Sequence, residues 1–293
     1  MPKRNIPLGI FCAIMIIFIW SGFMVFSRAG VTSNLHAYDV AALRFMVAGA
    51  LVLPFCKAWW PSHLPLKAKL LMACCGPGAI YTIIMYFGLV EASAAYGGVF
   101  SNGSLPIFTM LLVFFISGEK PFRNQLIAII IIVFGGLLLA FSGMKTGGNN
   151  VLLGITLFLI SSAVMSVYIF GVRQWGVTPR QALALVTMPS AALFLPIWYF
   201  FLPSRIAETE QSIVIFQALF QGLGPGFFAV ILFALAAMHL GPTLTAGFSS
   251  VVPATAALLA IPVLGEIPNT LEWVGIGIVT LGLALLIFSK KTA

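Results

Sequence analysis

The sequence predicts an all-α membrane protein of ten transmembrane helices, arranged as two inverted five-helix repeats around a central cavity. Three observations support this fold: an apolar composition, ten long apolar runs, and a set of motifs that occurs twice. Of the 293 residues, 61% are hydrophobic and only 8% are charged. Soluble domains carry about 25% charged residues, because water must solvate their surface. The composition therefore excludes a soluble fold.

The ten predicted helices cover residues 6–27, 37–57, 66–90, 94–117, 124–143, 151–173, 180–202, 212–239, 243–264 and 271–289. Each run has the length of about 20 residues that crosses a bilayer core. A β-barrel is disfavoured, because its strands would be about 10 residues long and would alternate in polarity. The first run is too long for the core of a signal peptide and lacks a clear cleavage site, so we predict a first transmembrane helix.

The net charge of +8 does not indicate a nucleic-acid-binding protein, because the Lys and Arg residues stand singly at the ends of apolar runs. With a cytoplasmic N-terminus, eleven of these cations fall on the cytoplasmic side. The other four fall on the external side: Arg28, Arg44, Lys145 and Arg205. Cytoplasmic loops of membrane proteins are enriched in Lys and Arg. Both termini are therefore predicted to be cytoplasmic.

One set of motifs occurs twice, 147 or 148 residues apart. Gly76-Pro77-Gly78, Pro106 and Gly118-Glu119-x-Pro121 match Gly224-Pro225-Gly226, Pro253 and Gly265-Glu266-x-Pro268. The repeats are residues 1–146 and 150–293, and each holds five predicted helices. Because five is odd, the second repeat enters the membrane from the opposite side. The repeats are therefore predicted to be inverted.

The matched central prolines indicate where a substrate binds. Pro106 and Pro253 fall near the middle of the fourth and ninth helices, where a proline leaves the carbonyl four residues earlier without its donor. Those carbonyls belong to Asn102 and Ser249. Irregular backbone at membrane depth must be buried in protein or line a cavity. We predict a cavity here, although prolines that only shape the helices remain an alternative.

A second pair of prolines, Pro77 and Pro225, is flanked by glycines and predicts a hinge or gate, with a purely structural kink as the alternative. Small polar and aromatic residues inside the predicted helices complete the candidate substrate site. They are Trp20, Ser21, Tyr81, Ser101, Ser162, Ser166, Tyr168, Phe227, Phe228 and Ser250. Each alone could simply pack one helix on another. Together they would line an aromatic, weakly polar cavity.

Several kinds of site are not expected. No Lys, Arg, Asp or Glu is placed at mid-helix, so neither a phosphate or nucleotide site nor a membrane carboxylate for cations is predicted. The four cysteines are expected to be free thiols, and the three histidines are too dispersed for a metal. Glu119 and Glu266 are expected to support the start of the next helix. No catalytic motif is present, so no enzyme, cofactor or metal is predicted.

The arrangement resembles the drug/metabolite transporter superfamily, EamA family, over nearly the whole chain. The resemblance is carried by Trp20-Ser21, by Leu43-Arg44-Phe45 and by the doubled Gly-Glu-x-Pro motif. It implies a carrier of the bacterial inner membrane that exports amino acids or related metabolites; its members include aromatic amino-acid exporters. Small multidrug relatives use a glutamate in the first helix. This chain has none there, which argues against transport of cationic drugs.

We therefore expect an alternating-access secondary transporter that exports neutral or aromatic amino acids. Its partners would be the small-molecule substrate and the lipid bilayer, with no nucleic acid, and a monomer would suffice. Two alternatives remain. One is a carrier of the same fold for purines, nucleosides or amphipathic toxins. The other is a non-transporting membrane protein, either a channel or a scaffold.

Overall fold

In a computed structural model, every secondary-structure element within the described residues, which are 5–146, 150–240 and 242–288, is helical. The spans α1 to α10 are Ile6–Val31, Ala37–Trp59, Leu66–Glu91, Ala94–Ser117, Arg123–Thr146, Val151–Gln174, Pro179–Phe201, Gln211–Leu240, the pair Pro242–Ser249 and Val252–Leu264, and Thr270–Phe288. Within the described residues, every span except α9 is long and apolar enough to cross a membrane. The predicted fold class is confirmed.

Four spans are irregular, each near one of the prolines that the sequence repeats. The α3 span breaks between Cys75 and Ala79, and α9 breaks after Ser249. The α4 and α8 spans each contain a wider π-helical turn, at Gly98–Gly103 and Gly224–Phe228. Each irregularity contains or directly precedes one of the four repeated prolines, which cannot donate a backbone hydrogen bond.

The sequence placed Pro106 and Pro253 in the interior of continuous helices. The structure does not. Each is the second residue of a new helical segment, Leu105–Ser117 in α4 and Val252–Leu264 in α9. In the first turn of a helix the N–H has no intrahelical partner, so proline is tolerated there. The prolines thus start the second segments, and the irregular backbone lies just before them.

The two repeats interlock. The first helix of the first repeat, α1, packs against the later segments of α8 and α9. The first helix of the second repeat, α6, packs against α3 and the later segment of α4. The second helices, α2 and α7, also contact each other, as do the last helices, α5 and α10. Each repeat therefore supplies packing surface to the other, and inversion of the second repeat remains a prediction from the odd helix count.

The α5 and α10 helices cross at glycines. A Cβ added to Gly135 would lie 2.8 Å from the carbonyl oxygen of Gly275, and one added to Gly275 would lie 2.8 Å from the carbonyl oxygen of Gly135. A Cβ on Gly282 would lie 2.7 Å from the Ile132 side chain. Helices in lipid approach closely where small residues meet, since van der Waals contact then replaces a hydrophobic driving force. This crossing joins the two repeats at one side of the bundle.

Candidate transport site

The irregular parts of α4 and α9 lie against each other inside the protein. A Cβ on Gly98 would lie 3.1 Å from the Cα atom of Pro253. Asn102 is half-buried in the π turn of α4, and the Ser104 hydroxyl donates a hydrogen bond to the Phe100 carbonyl. The Phe100 carbonyl of this turn therefore accepts a hydrogen bond from a side chain of the same span.

Two pairs of hydroxyl groups connect the first helix of one repeat with the fourth helix of the other. Ser21 on α1 and Thr255 on α9 are 2.5 Å apart. Ser101 on α4 and Ser161 on α6 are 3.2 Å apart, and the Tyr81 hydroxyl lies beside Ser101. All three of the predicted residues Ser21, Ser101 and Tyr81 are buried. They therefore lie at the interface between the repeats.

The predicted residues of α6 have different surroundings. Ser162 is fully buried, and its hydroxyl has no hydrogen-bond partner among the described residues. Ser166 donates to the Ala163 carbonyl over 2.7 Å, so its hydroxyl is satisfied within its own helix. The Tyr168 ring packs close to Gly76, at the break of α3. Ser162 and Tyr168 are thus the two residues of this group that retain polar atoms for another contact.

Other predicted residues lie away from these contacts. Trp20 stacks on Phe233 of α8 at a ring distance of 5.6 Å. Phe228 is 47% exposed on the outside of the bundle, where lipid would cover it, and Phe227 packs edge-on against it. Ser249 donates to a carbonyl in its own segment and is half-buried, and Ser250 is buried. The structure therefore does not bring Trp20 or Phe228 together with the buried serines.

Arg44 is the main residue that the sequence analysis missed. We expected no cation at mid-helix and placed Arg44 at an external helix end, but its side chain is only 3% exposed. Its Nη2 group donates to the Pro77 carbonyl over 3.2 Å, and its guanidinium carbon lies 5.4 Å from the Phe23 ring and 5.9 Å from the Phe45 ring. Its Nη1 group has no partner among the described residues. The expectation of no buried cation is wrong, because this side chain points inward instead of reaching the membrane surface.

A narrow cavity lies beside Arg44. Its free volume is about 20 Å³, which is room for about one water molecule. Residues of α2, α3, α6, α7 and α8 line it, including both predicted hinge prolines, Pro77 and Pro225, together with Tyr168 and Thr187. At the break of α3, the Ala79 N–H donates to the Ser190 hydroxyl of α7 over 3.0 Å. The break of α3 is therefore contacted by α2 on one side and by α7 on the other.

A chain of buried polar groups connects α1, α3 and α8, and the sequence analysis missed it too. The Tyr86 hydroxyl donates to Gln221 Oε1 over 3.0 Å, and Gln221 Nε2 donates to the Ser27 hydroxyl and to Gln217 Oε1 over 3.0 and 3.1 Å. Gln217 Nε2 donates to the Phe26 carbonyl over 2.7 Å. The four polar side chains are at most 1% exposed. Because these groups satisfy one another, the network can lie in an apolar interior.

An ion pair joins the repeats at the end of the bundle where α1 and α9 finish. Arg28 Nε lies 2.8 Å from Glu266 Oε1, and the other oxygen of Glu266 accepts a bond from the Ala94 N–H over 3.0 Å. Arg28 also donates to the carbonyls of Leu89 and Val90. Glu266 was expected to have a structural role at the start of the following helix. Its side chain instead reaches α1 and the start of α4 in the other repeat.

The same end of the bundle contains a cavity of about 420 Å³. Arg28 and Glu266 line it, together with Glu91, Tyr96 and Glu272. The Tyr96 hydroxyl donates to Glu272 over 2.7 Å. Pockets for small molecules have volumes of about 300–1,000 Å³. This vestibule is therefore large enough to admit a metabolite.

The EamA-like transporter family matches this chain twice, over residues 7–141 and over residues 152–288. The chain belongs to this family. Two relatives from Bacillus subtilis (strain 168) are both named as uncharacterized transporters. YwfM is 28% identical over 233 residues, covering 78% of this chain and 74% of the relative. YetK is 26% identical over 274 residues, covering 86% and 78%.

A crystal structure of another protein has the same fold as this EamA-like transporter, with a TM-score of 0.66, 18% identity and 96% coverage of both chains. At that identity the likeness supports the fold alone. The resemblance predicted from the sequence is confirmed at the level of the family. The EamA-like transporter is thus a multi-pass membrane protein of a transporter family.

Proposed function

We propose that this EamA-like transporter is a secondary carrier that exports small metabolites by alternating access, with neutral and aromatic amino acids as its substrates. The main support is the position of the helix irregularities. Gly98 and Pro253 bring α4 against α9, while Pro77 and Pro225 of α3 and α8 line one cavity. Irregular backbone at membrane depth is tolerated where it lines a cavity or is buried in protein. In carriers with internal repeats, interrupted helices of this kind form the substrate site.

The carrier would use the predicted residues in two groups. Ser101, Asn102 and Ser249, with the freed carbonyls near the prolines, would bind the substrate's amino group. Tyr81 and Tyr168 would pack against its side chain. Ser21, Ser162, Ser166 and Ser250 would complete the buried polar surface, and Trp20, Phe227 and Phe228 would only pack helices. Pro77, Pro106, Pro225 and Pro253 would be the hinges. The repeats 1–146 and 150–293 would move against each other within one monomer.

Transport should be measured in proteoliposomes. Vesicles loaded with unlabelled phenylalanine should accumulate labelled phenylalanine from outside, because a carrier exchanges substrates across the membrane. Empty vesicles and vesicles without internal substrate are the controls. A parallel panel of purines, nucleosides and amphipathic toxins tests the second type of carrier. Counterflow of those compounds and of no amino acid would contradict the proposed substrate class.

The proposed membrane orientation is testable separately. Both termini are placed in the cytoplasm, and the carrier in the bacterial inner membrane. A reporter enzyme that is active only outside the cytoplasm, fused after Ala293, should be inactive. The same reporter inserted between α1 and α2, at Asn34, should be active and serves as the matched control. An active reporter at Ala293 would refute this orientation.

A further inference from the structure

We infer that Arg44 is an anion-binding residue of this carrier and that its ligand is the carboxylate of the transported substrate. The inference rests on the proposed function and deepens it, because it requires every good substrate to carry a carboxylate or a similar anion. Arg44 is 3% exposed and lines the narrow cavity between the repeats. Its Nη1 group is buried with no hydrogen-bond partner among the described residues, and the neutral Tyr86 hydroxyl lies close to the guanidinium without neutralising it.

No acidic side chain neutralises Arg44 in the described part of the chain. The carboxylate closest to it in sequence on α2, Asp39, accepts bonds from Trp198 Nε1 over 2.8 Å and from the backbone N–H groups of Arg205 and His36 over 3.1 Å each. Glu266 is paired with Arg28. A guanidinium has five N–H donors, and a buried unpaired charge is costly. A charge retained inside a membrane protein at that cost marks a substrate or ion pathway.

The surroundings of Arg44 favour a planar carboxylate as the missing anion. Phe23 and Phe45 hold the guanidinium at cation–π distances, and Nη2 is fixed on the Pro77 carbonyl. These contacts orient the side chain without neutralising it. The fork geometry of an arginine matches the two oxygens of a carboxylate. When this narrow cavity widens during alternating access, an amino acid would place its carboxylate at Nη1 and its side chain against Phe45 and Tyr168, the aromatic residues that line the cavity.

The second repeat has no equivalent cation. Leu51-Val52-Leu53-Pro54 of α2 matches Leu193-Phe194-Leu195-Pro196 of α7, which lies 142 residues later. The same shift relates Gly49 to Ala191, and a Cβ on Gly49 would lie 3.1 Å from the Ala191 Cβ. It pairs Arg44 with Val186, which lines the same cavity. The cavity therefore has a cation, Arg44, on the side of α2 and an apolar side chain, Val186, at the matching place on α7. This asymmetry suits a substrate with one anionic group and one apolar part.

The alternative is that Arg44 only supports the broken α3 helix through the Pro77 carbonyl. Binding distinguishes the two roles when it is measured as the rise in the unfolding midpoint of the purified protein. Phenylalanine and phenethylamine share a ring and an amine, but only phenylalanine carries a carboxylate; phenylacetate carries the carboxylate without the amine. Phenylalanine and phenylacetate should raise the midpoint of the wild type, and phenethylamine should not.

In the Arg44→Gln variant, the apparent Kd for phenylalanine should rise by about 10- to 100-fold, since a hydrogen bond to a charged group is lost. Arg173→Gln, an exposed arginine at the end of α6, is the matched control and should bind as the wild type does. If Arg44→Gln fails to fold, Arg44→Lys retains the charge and should show a smaller loss. The wild-type preference for carboxylates then remains an independent measurement.

The outcomes separate the two proposals. Equal stabilisation of wild type and Arg44→Gln by carboxylates, or stabilisation by phenethylamine alone, would overturn the role of Arg44. Absence of any stabilisation by carboxylates in the wild type would overturn it as well. Carboxylate stabilisation that depends on Arg44, together with no amino-acid counterflow, would support the anion site and contradict the proposed transport function.

Discussion

Replacing Gly275 with leucine should strongly destabilise the carrier, whereas the same substitution at Gly277 should have little effect. A Cβ on Gly275 would lie 2.8 Å from the Gly135 carbonyl oxygen, and backbone cannot move aside as a flexible side chain can. A Cβ on Gly277 would meet nothing within 4 Å. Overpacking a tight contact costs about 1–3 kcal/mol, and because this contact is with rigid backbone we expect a loss of about 3 kcal/mol of unfolding free energy.

The measurement is the yield of monodisperse protein in detergent and its unfolding midpoint. Both variants lie on α10 and add the same side chain, so they have equal effects on hydrophobicity and helix propensity. Only the contact with α5 differs. Equal yields and midpoints for the two variants would show that α5 and α10 do not cross at these glycines.

Replacing Glu266 with glutamine should loosen the contact between the repeats at the end where α1 and α9 finish. The change removes the charge that pairs with Arg28 and retains the size of the side chain. The two side chains are only 19% and 22% exposed, so solvent screens the pair less than a surface pair. Losing this charged contact should shift the equilibrium between the closed and open states of this end by about 1–2 kcal/mol. The ratio of open to closed protein would then rise by roughly 5- to 30-fold.

A cysteine at position 260 reports this opening. Ala260 is 1% exposed and lines the vestibule beside the ion pair, so an Ala260→Cys thiol should react slowly with an impermeant maleimide. The four native cysteines are first replaced. With Glu266→Gln, labelling should accelerate by roughly 5- to 30-fold.

Glu119→Gln is the matched control for this experiment. Glu119 occupies the same position of the first repeat but is exposed on the surface. It should leave the labelling rate at position 260 unchanged. An unchanged rate in Glu266→Gln, or an equal acceleration in Glu119→Gln, would mean that the ion pair does not restrain this end of the carrier.

Much of the architecture follows from local properties of the sequence. Apolar runs of about 20 residues specify membrane helices, because the bilayer accepts few other backbones. The repeated prolines correctly predicted where α3, α4, α8 and α9 are irregular. A proline has no backbone N–H, so the hydrogen bond that is lost belongs to its own helix. Their exact position in the helices was predicted less well. Pro106 and Pro253 were expected in the interior of continuous helices, whereas each is the second residue of a new helical segment.

The candidate site depends on contacts that no local pattern contains. From the hydropathy pattern, Arg44 was placed near the end of a helix. The sequence of α2 alone does not show whether its side chain reaches the membrane surface or the interior of the protein. Glu266 and Glu119 have the same local motif, yet only Glu266 meets an arginine, 238 residues away. Gln221 and Tyr86 are likewise 135 residues apart in the chain.

The membrane fold, the number of helices, the duplication and the positions of the irregular turns could be predicted from the sequence, because bilayer insertion and proline geometry act within one helix. Which polar residues are buried, and what they contact, depends on how the helices pack. The physical reason is the interlocking of the repeats: α1 packs on α8 and α9, and α6 packs on α3 and α4. A side chain's partner therefore comes from the other half of the chain, and its charge is either neutralised there, as at Glu266, or left for a ligand, as we infer at Arg44.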